Sequence, residues 1–349
     1  MKKTLVALAV TAFAASAAAK IDLYSQDGTT VSTDGRVKVV AHKETTKVNR
    51  DKTKYGHSAL SNDGTRLGLT VNHNITEDFY ALGRLEIRFD GGDKKGSDNW
   101  GNAYAKRAFV GLGHKQYGQV TFGKQLLVGD DVGRIGLDNY YNVGSSYAPV
   151  GGWTILNESS DSAVRYDYKG VQGLTLSADY SFANKHDTVG SDKAGYGAGA
   201  IYEFAAGEGT ASVSLGYAHK DIESGSKVKR DQDGVFGGFN YVVNGVKLGV
   251  DGGYSVRKSG DAKDKLNYVR TGLRYDIQDT KTGVYGNYSY LVVKSGQEKD
   301  KAHQFLLGAD YSFHKHAKVF VEGKLAKARF DDKSKQTDKG IAAGLIVFW

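Results

Sequence analysis

The chain has no cysteine, one methionine (Met1) and a single proline, Pro149, in 349 residues. Without cysteine there is no disulfide framework, so a large hydrogen-bonded sheet has to supply the stability. Proline removes a ladder donor, and its near absence favours continuous strand pairing with few free edges. Downstream of the N-terminal segment no apolar run reaches about 18 residues, which excludes a membrane-spanning helix in the body of the chain. No linker or shift of composition divides the chain, which reads as one domain. Also missing is any recognisable nucleic-acid module. The formal charge of +8, about +6 without Lys2 and Lys3, is spread over many segments, which argues against a nucleic-acid partner.

Residues 1–19 have the layout of a secretory signal peptide: Lys2-Lys3, an apolar run from Leu5 to Ala14, then the small residues Ala15 to Ala19. Residues 20–349 form the expected mature domain. Glycine is abundant, at 46 residues, roughly twice the usual share. Above all, the chain repeats a unit of alternating apolar and polar residues ended by a turn. From Val246 to Arg257, Val246, Leu248, Val250, Tyr254 and Val256 share one face; Lys247, Asp251, Ser255 and Arg257 share the other. The same holds for Leu174 to Phe182 and for Phe305 to Phe313. These strands run about ten residues, the length a tilted strand needs to cross hydrocarbon and longer than those of a soluble sandwich.

About sixteen such segments predict an all-β, transmembrane antiparallel barrel. Tight connections such as Asn244-Gly245 trade off with longer charged ones such as Asp90 to Gly101, as expected of periplasmic and extracellular rims. Tyrosines and phenylalanines near strand ends suit lipid interfaces.

Several strings carry a family resemblance. They are Gln26-Asp27-Gly28-Thr29-Thr30-Val31, Gly64-Thr65-Arg66-Leu67-Gly68-Leu69, Tyr80-Ala81-Leu82-Gly83-Arg84, Ala108-Phe109-Val110-Gly111-Leu112-Gly113, Tyr117 to Gly123 and Gly170 to Leu176. In order and spacing the chain resembles the general trimeric porins of Gram-negative outer membranes, most like those of the Haemophilus and Pasteurella group. The resemblance implies a channel for passive diffusion of ions and small hydrophilic solutes, without catalysis, cofactor or metal. It implies a homotrimer in the cell outer membrane, in contact with lipid and lipopolysaccharide and inserted by the barrel-assembly machinery. Trp349 stands where the family usually ends in phenylalanine, the assembly signal.

The connection from about Val128 to Ser160 holds Asp130, Asp131 and Asp138, and a loop that long is usually functional. By resemblance it is the third extracellular loop, folded into the lumen, its acids facing a basic wall. Arg36, Arg66 and Lys106 match the family's constriction positions. Parity, independently of the family, turns Lys38, Arg84, Glu86, Arg88 and Arg165 inward, since a lipid-facing charge costs about 2–4 kcal/mol at the midplane. Arg107 has the opposite parity from Lys106, so a bulge or a subunit contact is expected there. The surplus of wall cations predicts a mild anion preference.

Other readings are thinner. Gly195-Tyr196-Gly197-Ala198-Gly199 lacks the following helix of a phosphate loop and suits close packing. His314 and His316 flank a short turn without further metal ligands. An outer-membrane protease or lipase would need a spatial triad that nothing here singles out. An adhesin or structural barrel with a plugged lumen is the alternative from another class.

Overall fold

The computed structural model describes residues 20–49, 51–53, 59–90, 100–133, 155–183, 192–222 and 230–349. The strands are β1 Ile21–Gln26, β2 Thr29–Val48, β3 Asp51–Thr53, β4 Ala59–Asn74, β5 Phe79–Asp90, β6 Asn102–His114 and β7 Gly118–Leu126. A short helix, α1 Val128–Val132, follows. Then come β8 Ser159–Val171, β9 Leu174–Ser181, β10 Asp192–Ala206, β11 Gly209–Ile222, β12 Arg230–Val243 and β13 Val246–Ser259. The last are β14 Ala262–Asp276, β15 Thr282–Ser295, β16 Glu298–His314, β17 Ala317–Arg329 and β18 Lys335–Phe348.

From β4 to β18 each strand pairs antiparallel with its neighbours in sequence, and β2 closes the ring by pairing with both β4 and β18. The result is a closed barrel of sixteen staves. Closure leaves the sheet without a lipid-exposed edge among the described strands. The two short strands are additions to the expected set: β3 is a hairpin on the end of β2, and β1 pairs with Thr29–Thr33. It does so on the side of β2 where β18 covers Arg36–Val48, so β18 and β1 lie end to end in one stave. Trp349 joins them there, exchanging backbone hydrogen bonds of 2.9 and 3.1 Å with Gly35.

Alternation becomes direction as expected. On β16, Phe305 and Leu307 are exposed on the outside while Gln304 and Leu306 are buried within. One rim carries tight turns such as Asp27-Gly28 and Asn244-Gly245, both with positive φ, the mirror-type turns that match strand twist. The opposite rim carries the long connections. There the structure differs from simple alternation of loop length, because Gly260-Asp261 and Gly296-Gln297 are two-residue turns too.

Candidate functional site

Backbone register places the basic wall. Arg36 of β2 lies opposite Arg66 of β4, and Arg66 opposite Arg88 of β5, giving three arginines in one row on the inner face. The next row holds Asp34, Gly68, Glu86 and Arg107. Each of the three strand pairs around these rows carries a bulge, at Arg36/Val39, Asp63/Thr65 and Glu86/Ile87. Bulges re-aim side chains and sharpen twist. On β6 the ladder steps from Glu86 opposite Arg107 to Ile87 opposite Ala105, leaving Lys106 as the extra residue. Of the two expectations for Arg107, the bulge is the one realised, and Arg107 faces the interior.

Charge on this wall is shared unequally. Glu86 is 1% exposed and is approached by Arg88 Nε at 2.6 Å, Arg84 Nη2 at 3.1 Å and Arg107 Nε at 3.4 Å. One carboxylate thus faces three guanidiniums. Arg84 also donates to Asp34 at 2.7 and 3.0 Å and to Thr70 Oγ1 at 2.8 Å. Lys38 is buried and paired with Asp63. Arg36 Nε donates to the Gly64 carbonyl at 2.9 Å, and Lys106 Nζ lies 3.5 Å from Ser159 Oγ. Arg66 is different: among the described residues no carboxylate comes within ion-pair distance, and its Nε has no hydrogen-bond partner.

The described ends of the long connection lie against the inner face on the other side. Helix α1 is seated on β10 and β11 where glycine removes the side chain: a Cβ on Gly199 would stand 2.6 Å from Val128, and one on Gly216 2.6 Å from Val132. Ile155 and Leu156 rest likewise on Gly234. Polar bonds fix the same seat. Val128 N–H donates to Asp179 at 2.6 Å, Ser214 Oγ to the Val132 carbonyl at 3.1 Å and Arg270 to the Gly133 carbonyl at 3.3 Å. Gly199, the end of the glycine-rich string, therefore serves close packing.

Asp130 is buried and near enough to Arg107 to act on its charge. Asp131 pairs with Arg165 of β8, which also grips Asp167 at 2.7 Å and the Leu126 carbonyl at 3.2 Å. Arg165 thereby ties the start of the loop to its neighbouring wall. Asp138 lies outside the described residues. The ring of Trp349 lies over Gly35, where a Cβ would come within 2.5 Å of it.

Sequence reasoning passed over Asp34, Asp167, Asp179 and the buried pair Asp251–Arg270. All four acids share the inward parity of their strands, which was the available signal. Arg107 carried no such signal, because a bulge breaks the parity that would reveal it.

Comparison with known proteins agrees with this architecture. The family model for Gram-negative porins matches residues 4–333. The chain is 30% identical to the major outer membrane protein of Pasteurella multocida strain Pm70 over 368 residues, covering 99% of each. In fold it is similar to an anion-selective porin from Comamonas acidovorans, with TM-score 0.71 and 19% identity over 92% of this chain and all of that one. It is likewise similar to the trimer form of Vibrio cholerae OmpT, with TM-score 0.67 and 18% identity over 93% of this chain and all of that one. A closed barrel with an apolar exterior and a charged interior, matched end to end by these relatives, places the chain in the Gram-negative porin family.

Proposed function

We propose that the protein is a passive diffusion channel in which ions and small hydrophilic solutes pass between the basic rows of β2–β6 and the acids of the third loop. As a Gram-negative porin it is a multi-pass barrel of the cell outer membrane. Sixteen staves leave room for an aqueous lumen. On this reading the loop beginning at Val128 continues into the lumen, and Asp130 and Asp131, with Asp138, face the wall arginines. Fixed charges across a narrow passage set ion selectivity and orient dipolar solutes without any reaction. Residues 1–19 act as the export signal, and barrels associate as homotrimers, as the similarly folded Vibrio cholerae OmpT does in its trimer form.

The observation that carries the reading is Arg66. It lies in register between two more arginines and lacks a carboxylate of its own among the described residues, so its charge is available to a passing anion. The test is the reversal potential in planar bilayers under a salt gradient. Wild type is expected to favour anions mildly, and Arg66→Ala to reduce that preference; cation preference in wild type overturns the bias. Absence of discrete conductance steps overturns the channel itself in favour of a barrel that works through its loops.

A further inference from the structure

Toward the short-turn end of the lumen, β13 to β17 carry a group of charges separate from the basic rows of β2–β6. Lys247 of β13 stands just past the Asn244-Gly245 turn and lies directly opposite Arg274 of β14. Both point inward, since their neighbours Leu248 and Leu273 are exposed on the outside. Arg274 spends its charge on two acids: its Nη1 lies 2.5 Å from Asp310 and its Nε 2.8 Å from Asp276. The guanidinium lies along the wall over Gly283, where a Cβ would collide with it, and 5.6 Å from the centre of the Tyr285 ring. Lys318 of β17 reaches the same Asp310 from the other side, at 3.9 Å. Glu322 stands a turn of the pleat further in, where the Tyr285 hydroxyl holds it at 2.7 Å.

Lys247 is left over. Among the described residues its ammonium forms no ion pair and no side-chain hydrogen bond, although Arg274, Lys318, Asp276 and Asp310 are all near enough to act on its charge. It is half-buried, so part of its hydration is lost, and like charges directly opposite on a sheet are destabilising. Both nearby acids are already engaged by Arg274. Three bases against two acids leave one positive charge in excess, and the unused donors belong to Lys247. An excess of one matches a monoanion, and three free N–H donors match an anion that accepts hydrogen bonds. A dianion there meets Asp276 and Asp310 with a second charge that nothing balances.

We infer that Lys247 anchors a binding site for small monocarboxylates at the short-turn end of the lumen, its ammonium donating to the carboxylate while Arg274 and Lys318 supply the surrounding field. Counted through β14, β15, β16, β17, β18, β2 and β4, Lys247 stands seven staves from Arg66 in a ring of sixteen. The two cations without carboxylates thus lie nearly across the barrel from each other, and a carboxylate released by one wall meets the other. How the anion arrives rests on the channel reading above; binding itself is measured without current.

The test titrates sodium acetate against the full folded barrel in deuterated detergent, read by saturation-transfer NMR on the acetate methyl. Wild type is expected to give a saturable signal, and Lys247→Gln to weaken it about tenfold, as for loss of one hydrogen bond to a charged group. Lys247→Arg restores it, and Lys281→Gln, in the neighbouring turn, binds like wild type. Malonate, a dianion, gains nothing over acetate in the part of the signal that Lys247→Gln removes, whereas in Asp276→Asn, with one acid fewer, malonate binds the more tightly. Where Lys247→Gln folds poorly by heat-dependent gel mobility, Lys247→Met takes its place. Equal binding by wild type and Lys247→Gln, loss confined to Arg66→Ala, displacement of acetate by chloride mole for mole, or a wild-type preference for malonate at this site overturns the inference. Bilayer conductance of the same samples reports separately on the channel: current without Lys247-dependent binding sinks the site alone, and binding without current sinks the channel alone.

Discussion

Arg84 reaches across an entire strand to Asp34. Its Nη1 lies 2.7 Å from Oδ1, although β4 separates β5 from β2. The passage is open because Gly68 occupies the middle stave; a Cβ there would stand 2.7 Å from Arg84 Nη2 and 2.8 Å from Asp34 Oδ1. Gly68→Ala is therefore expected to displace the guanidinium toward the lumen. Because flexible side-chain ends can yield, the cost in stability stays near 1 kcal/mol, while single-channel conductance falls. Unchanged conductance in the alanine variant contradicts the bridge.

Glu86 holds Arg84, Arg88 and Arg107 together. Glu86→Gln keeps the shape and removes the charge, leaving three guanidiniums mutually repelling. Loss of one partner from a buried ionic cluster costs about 3 kcal/mol. Urea unfolding is expected to shift accordingly, with partial recovery at high salt, and the reversal potential to move toward greater anion preference. A shift toward cations would falsify the inward placement of this cluster.

The seat of α1 can be spoiled without touching a charged residue. Gly216→Leu drives a side chain into the space of Val132, so the loop start is pushed off the wall. The barrel is expected to fold, since sixteen ladders remain, but open-channel current becomes noisier and larger. A current indistinguishable from wild type shows that the seat does not position the loop.

Gly35→Val tests the stave shared by β18 and β1. The new side chain collides with the Trp349 ring, so folding into detergent or lipid is expected to slow several-fold while the folded barrel conducts normally. Refolding followed by heat-dependent gel mobility gives the rate.

The sixteen staves and their two faces were legible because the side-chain period of a strand is two, and a run such as Val246–Arg257 shows it without help. Arg84, Glu86 and Arg88 were placed inward by the same rule. What the period cannot show is partnership across strands, which depends on register: Asp34 and Arg84 are 50 residues apart in sequence. Nor does it show where a glycine makes room, as Gly68 and Gly216 do. β1 was missed because its six residues, Ile21–Gln26, are half a stave and too short to display alternation. α1 was missed because five residues carry no helical period.

The bulge at Lys106 has a consequence for how such a wall can change over generations. In a regular strand, losing one codon turns one half of the strand inside out and puts its charges into lipid. At Lys106 the ladder already skips a residue, with Arg107 opposite Glu86 and Ala105 opposite Ile87. Deleting Lys106 there leaves every other side chain on its own side. A lumen cation can thus be gained or lost by a single-residue insertion or deletion, a kind of variation forbidden almost everywhere else in the strand.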